Sequence, residues 1–418
     1  MKLTVVGGGS TYTPELVDGF ARMREQLPID ELWLVDPDPE RLRLVGGMSE
    51  RMLRASGHDG RVVVTSDLVA AVADADAVLV QLRVGGQDAR RGDETWPHEC
   101  GCIGQETTGP GGFAKALRTV PVVLRVAEAV RRHAKPDAWI VDFTNPVGIV
   151  TRALLQEGHR AVGLCNVAIG FQRAFAGMLD VAPGRVRLGH VGLNHLTWER
   201  AAYVDGRDVL PELLATRRAE LAEHIELPAS LLEMLGMLPS YYLRYYYAHD
   251  VVLREQLGAP TRADAVQQVE RELLELYADP SVDAKPELLS RRGGAFYSEA
   301  AVDLMASLRS DRGDVQVVNL RNDGTLPFLP DDHVIEVAAT VGAAGVRALP
   351  IEPLPDDVAG LIAHVAGYER LALDAAIHGG RERVLRAMTA HPLVLQYDRA
   401  ERLTDLLIAA NREHLAWA

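Results

Sequence analysis

Cysteine is scarce in this chain. Among 418 residues there are three, Cys100, Cys102 and Cys165. An odd, low count does not suggest a disulfide framework and points to a reducing compartment, the cytoplasm. No run of about 18 apolar residues occurs, so no membrane-spanning helix is expected. No signal-like segment precedes the first strand-like run, Lys2-Leu3-Thr4-Val5-Val6. Internal repeats and low-complexity tracts are missing as well. Positive charge is short too: 44 Lys and Arg stand against 58 Asp and Glu, for a net charge of −14. An acidic surface argues against a nucleic-acid or anionic-membrane partner. An anionic substrate must then be received by a local cluster of Arg, not by the overall field.

What is there is the balance of a soluble globular protein, 48% hydrophobic and 24% charged. The length allows two domains with sizeable cores. Strand-like runs at 2–6, 31–36, 62–65, 77–82, 139–143 and 161–164 alternate with amphipathic stretches. That alternation predicts an α/β fold with a doubly wound, Rossmann-type parallel sheet. The first domain is expected to span 1–165. The remainder, 166–418, reads as mixed α/β with helices predominating. Antiparallel strands are expected at 186–190 and 196–203, with a hairpin at Asp205-Gly206. Further strands are expected at 315–319 and 334–337. Helices are expected near 211–224, 228–236, 240–256, 262–278, 355–378, 381–390 and 396–416.

The strand–glycine–helix order at Gly7, Gly8, Gly9 and Ser10 is what a pyrophosphate site needs, because the backbone can approach closely and the helix N-terminus presents free N–H groups. Tyr12 stands where the usual fingerprint has its third Gly. Thr13 can cap the helix and Pro14 suits its first turn. Asp36 closes the second strand; there it can accept from both ribose hydroxyls, which favours NAD over its 2′-phosphorylated relative. Residues 83–113 read as a long polar loop with several Arg and a Gln-Glu pair, suited to a polar substrate. Cys100 and Cys102 read as ordinary loop thiols.

Cys165 and His195 fall at or near strand ends, each beside an Asn (Asn166, Asn194). Singly, one reads as a buried small side chain and the other as a hydrogen-bonded polar residue. Together they are candidate metal ligands, and two protein ligands leave positions open for substrate oxygens. Five of eleven Tyr lie between 241 and 247. Helical spacing puts Tyr242, Tyr245 and Tyr246 on one face, which suits a core stripe. Alternatively one is a general base, which needs a nearby cation because a phenol titrates near 10. Arg262 opens a predicted helix, a ready anion site or a surface ion pair.

The set Gly7–Ser10, Gly104-Gln105-Glu106-Thr107-Thr108-Gly109-Pro110-Gly111-Gly112, Asn145-Pro146, Cys165-Asn166-Val167, Gly192-Leu193-Asn194-His195 and Pro239-x-x-Tyr242-Leu243 resembles glycoside hydrolase family four. This family stands apart from the two-carboxylate glycosidases. The resemblance implies NAD on Gly7–Ser10 and Asp36. It implies a divalent metal, usually manganese (Mn2+), on Cys165 and His195, with Tyr242 as base and Glu106 raising its basicity. Arg90, Asn145, Asn166 and Arg262 match substrate-contacting positions, Arg262 suiting a sugar 6-phosphate. Cys-Asn resembles the 6-phospho-β-glucosidase branch, whose substrates are phosphorylated disaccharides or β-glucosides such as cellobiose 6-phosphate.

The implied route is oxidation at C3 by NAD, removal of the C2 proton by Tyr242 beside the metal, elimination of the C1 substituent, addition of water and return of the hydride. No proton donor to the leaving group is assigned. Ala168 replaces the family's Pro after Cys-Asn-Val. Relatives are homo-oligomers, so a homodimer or homotetramer is expected. The competing readings are a 2-hydroxy-acid dehydrogenase of the malate or lactate kind, an NAD-sensing regulator, and a family-four enzyme of phospho-α-glucosidase or α-galactosidase specificity.

Overall fold

The computed structural model describes residues 1–294 and 296–418. Strands β1 (Lys2–Val6), β2 (Glu31–Val35), β3 (Arg61–Thr65), β4 (Ala77–Val80), β5 (Trp139–Asp142) and β6 (Ala161–Gly163) are all parallel. Their spatial order is β3-β2-β1-β4-β5-β6. The order reverses between β1 and β4, the crevice where doubly wound sheets bind ligands. The first-half strands are Val-, Leu- and Ala-rich, and β4 is buried along its whole length, as strands covered on both faces require.

The sheet does not stop at the expected break after Cys165. Strands β7 (Val186–Leu193), β8 (Leu196–Val204), β9 (Arg207–Asp208) and β10 (Leu238–Pro239) form a separate antiparallel sheet. Strands β11 (Asp314–Arg321), β12 (Val334–Gly342) and β13 (Gly345–Ala348) return to the first sheet and extend it to nine strands. The join is antiparallel, Asn319 opposite Gly163. One apolar core runs from Leu3 to Leu415. A second core, around Phe171, Phe175, Leu210 and Leu221, sits under β7 and β8. At the β8–β9 hairpin, Asp205 and Gly206 both take positive φ, 51° and 85°, as a tight two-residue turn demands.

Three local expectations are corrected. Residues 83–113 are largely helical: Gly86–Thr95 is an α-helix, Trp96–Cys100 a 3-10 helix, and the next helix, Gly109–His133, starts earlier than its apolar spacing. The first of these buries Gln87, Asp93 and Glu94. A helix whose inner face is polar carries no apolar periodicity to read. Thr13 is not the cap. Tyr12 stands there, and the Thr13 hydroxyl donates to the Gly8 carbonyl at 2.9 Å while accepting from Gln81 Nε2 at 2.9 Å. The helix expected over 240–256 is broken into Tyr241–Leu243, Arg244–Tyr247 and His249–Leu257. The helix Tyr297–Ser310 and strand β13 were not anticipated.

Candidate active site

The glycine turn is built from the end of β1. The amides of Gly7 and Gly8 both donate to Val35 O, at 2.9 and 3.0 Å, and Gly9 N donates to Asp36 Oδ2 at 3.2 Å. A Cβ on Gly9 would stand 2.9 Å from Asp36 Cγ, so this position admits no side chain while Asp36 keeps its place. Asp36 Oδ1 accepts from Asp38 N at 3.1 Å. Each oxygen keeps a lone pair for a further donor, such as a ribose hydroxyl. Burial raises the Asp36 pKa, opposed by these amides and by Arg41. From the second half of the chain, Arg292 closes over the turn. Its Nε donates to Thr11 Oγ1 at 2.7 Å and its Nη2 to Ser10 Oγ at 3.3 Å, and it pairs with Glu270 at 3.2 Å.

Next along the crevice is a cationic cluster. Glu106 is buried among Arg83, Arg90 (3.2 Å) and Lys115 (2.6 Å). Burial alone would raise its pKa, but these three cations hold it well below the carboxylate range. Lys115 is pushed down to about 8, chiefly by burial. Arg90 also reaches Glu94 at 2.7 Å. Arg262 belongs to the same group through its electrostatic coupling to Arg90, Glu94 and Glu106, and its pKa is lowered by burial and by Arg90. Two guanidiniums that raise each other's energy are relieved by an anion between them. The helix N-terminus beside Arg262 is not open, however. Glu94 Oε2 takes the amide of Ala263 at 2.8 Å, and Arg262 donates to the carbonyls of Arg291 and Arg292 at 3.0 and 3.3 Å.

The third part lies at the ends of β6 and β7. Cys165 and His195 are each 5% exposed. Burial raises the Cys165 thiol pKa, opposed by the neighbouring Val167 amide and the side chains of Asn194 and Tyr297. Burial lowers His195 to about 4, so its imidazole is neutral, the form that ligates metal. Its Nδ1 lies 2.9 Å from the Thr107 hydroxyl, which leaves Nε2 as the coordinating nitrogen. Among the described residues no group of three His, Cys, Asp or Glu could hold a metal ion. The donor set fits a cation that also takes ligands from substrate. Donors around the sulfur orient a metal-bound thiolate and favour its charged form.

Tyr242 joins this part directly. Its ring stacks on His195 with centroids 3.7 Å apart and planes within 9°. Burial raises its pKa well above the phenol range, with Cys165 and Tyr245 adding to the effect. Tyr245 is 6.2 Å away, whereas Tyr246 lines a small cavity behind His195 with Tyr368, Glu369 and His391. Tyr242 and Tyr246 both pack against the small apolar cluster of Tyr245, Ile103, Val252 and Leu393, as a core stripe would. Asn145 precedes a cis proline, and among the described residues its buried Oδ1 has no partner, as a group awaiting a ligand would. Asn166 sits at the N-cap of the helix Val167–Leu179.

Arg83, Lys115, Arg292 and Glu270 were not singled out by sequence. Lys115 and Glu270 lie on helices whose spacing marks only the apolar face, and Arg292 comes from a segment without periodicity.

A dinucleotide-type turn, an arginine cluster around Glu106 and a buried Cys–His pair at the ends of β6 and β7 suit a cofactor-dependent enzyme of the doubly wound class. Residues 2–181 match the model of family 4 glycosyl hydrolases, and residues 190–394 that of the family 4 glycosyl hydrolase C-terminal domain. The chain belongs to family 4 of the glycosyl hydrolases.

It is 40% identical to a "Probable 6-phospho-beta-glucosidase" of Bacillus subtilis (strain 168), over 99% of this chain and 97% of that one. Identity to the phospho-alpha-glucosidase PagL of Clostridium acetobutylicum is 28%, over 98% and 97%. The crystal structure of a 6-phospho-beta-glucosidase from Thermotoga maritima with manganese, NAD+ and glucose-6-phosphate superposes with a TM-score of 0.92. Identity is 34%, and 99% of each chain is covered.

Proposed function

We propose that this protein is a 6-phospho-β-glucosidase that uses NAD and a divalent metal, manganese being the one found in the superposed relative. The observation that supports the reading is the stacking of Tyr242 on His195 with Cys165 nearby, a phenol beside the two proposed metal donors. In the reading, NAD on Gly7–Ser10 and Asp36 supplies reversible hydride transfer, and the cation on Cys165 and His195 supplies Lewis acidity. Tyr242 takes the C2 proton, which it can do only with a cation nearby, because burial otherwise keeps the phenol protonated. Glu106, held ionised by Arg83, Arg90 and Lys115, sets the local potential at Tyr242. Arg90 and Arg262 receive the 6-phosphate, and Asn145 and Asn166 the sugar hydroxyls.

The β specificity is supported by the higher identity to the β-acting relative and by the Cys165-Asn166 pair. The enzyme is further proposed to work in the cytoplasm, since all three cysteines are free thiols, and as a homodimer or homotetramer. No helix among the described residues is long and apolar enough to cross a membrane.

The test is release of nitrophenol from p-nitrophenyl β-glucoside 6-phosphate, with NAD and manganese each omitted and the α-anomer run alongside. Release that needs both additions, without net NADH, supports the reading. Release from the α-anomer alone overturns the specificity. Steady NADH formation without release overturns the reaction.

A further inference from the structure

Behind Cys165 and His195 lies a group of polar side chains that the reaction as described does not use. Glu336 on β12 is 1% exposed, His190 on β7 2%, and Glu199 on β8 and Asn319 on β11 are fully buried. Strands of both sheets thus meet on charged and amide groups at positions where apolar residues would pack without cost. Glu336 Oε2 accepts from Asn194 Nδ2 at 2.8 Å and from Asn319 Nδ2 at 2.9 Å. Its Oε1 lies 3.0 Å from His190 Nε2, and His190 Nδ1 lies 2.5 Å from Glu199 Oε1.

Asn194 connects this group to the site. It immediately precedes His195, which is held at a φ of 62°, and Glu336 acts electrostatically on both Cys165 and His195. An amide NH2 has two hydrogens, enough for one bond to Glu336 and one to a thiolate.

The charges matter as much as the bonds. His190 lies between two carboxylates, which hold it protonated and push it up to about 10 against the opposing effect of burial. Glu199, His190 and Glu336 together then carry one net negative charge, shielded from water. A divalent cation on one thiolate and one neutral imidazole keeps one positive charge uncompensated. The other ionised cluster nearby, Arg83, Arg90 and Lys115 around Glu106, is net positive and cannot offset it. In a low-dielectric interior an opposite charge one residue away acts almost unscreened.

We infer that Glu336, backed by His190 and Glu199, is the positioning and charge-compensating carboxylate of the Cys165–His195 metal site, acting through Asn194. This rests on the metal reading proposed above. The plain alternative is a hydrogen-bonded polar seam between the two sheets. Such a seam sets stability and leaves metal affinity alone.

The experiment titrates Mn2+ into the NAD-loaded enzyme saturated with glucose 6-phosphate and follows free aqueous Mn2+ by its paramagnetic resonance signal. The parent, Cys165→Ser, Glu336→Gln and Asn194→Ala are compared, with NAD affinity and thermal melting recorded for each. Glu336→Gln and Asn194→Ala are expected to weaken Mn2+ binding by about ten- to a hundredfold, the range for groups that orient metal ligands. Their NAD affinity should stay within about twofold, since the dinucleotide turn lies elsewhere in the sheet. Asn194→Ala leaves Glu336 paired with His190 and Asn319, so it decides the matter if Glu336→Gln does not fold. Folded variants that bind Mn2+ as the parent does overturn the inference and leave the metal site standing. A parent that binds no Mn2+, or a Cys165→Ser variant that binds it equally well, overturns the metal reading itself.

Discussion

Tyr242 shows how one side chain can be read two ways until its neighbours are known. Its sequence context offers a core stripe or a base; the stacking on His195 and the closeness of Cys165 and Glu106 favour the base. Tyr242→Phe keeps the ring and removes the proton acceptor. It is expected to lower kcat by about 10²–10⁴-fold, with Mn2+ and NAD affinities unchanged in direct titrations.

His190 carries a separate, pH-dependent expectation. Its folded pKa of about 10 lies above the free value of 6.5, so the folded state retains a proton that the unfolded chain releases. The resulting stabilisation is complete below about pH 6.5 and is lost as pH rises through about 10. The stability difference between the parent and His190→Gln should therefore shrink across that window in denaturant titrations. A difference that stays constant or grows would contradict it.

The helix Gly86–Thr95 is stabilised by ion pairs where most helices use an apolar face. Asp93 and Arg118, each 1% exposed at the side chain, form two parallel bonds of 2.9 and 2.6 Å. Burial still pushes Asp93 up to about 6. Asp93→Asn leaves the Arg118 charge buried without its partner. That should cost about 3–5 kcal/mol, read as a lower denaturation midpoint. The glycine turn is a second such element, legible in sequence as strand–glycine–helix. Its tightness became visible only with Asp36 packed where a Gly9 Cβ would stand. Gly9→Ala is expected to reduce NAD affinity at least tenfold, measured by titration of the purified apoenzyme.

The two halves of the molecule share one sheet. Strand β6 is paired on one side by β5 and on the other by β11, whose residues come about 150 positions later. A fragment ending at Cys165 would expose β6 as an unpaired apolar edge, together with the core surface that Val318, Ile335 and Val337 cover. Such an edge is a site for aggregation. The fragment should be recovered as insoluble protein under conditions that keep the full chain in solution; a monomeric fragment with native-like circular dichroism would show the halves to be separable.

The sequence alone determined what periodic, local chemistry can encode. The six parallel strands are continuous apolar runs bounded by turn residues, so they were legible as strands of a doubly wound sheet, while their spatial order came with the structure. The glycine turn, Asp36, Cys165, His195 and Tyr242 were legible as chemical types at strand ends and in motifs. The tertiary structure alone decided which charges face one another. Arg292 over Ser10 and Thr11, Arg83 against Glu106, and Glu336 behind Asn194 are long-range pairings between residues that look like ordinary polar positions. The reason is physical: apolar burial repeats with the backbone period and marks the chain locally. A buried ion pair is specified by distance in space, and nothing in the sequence near either partner records it.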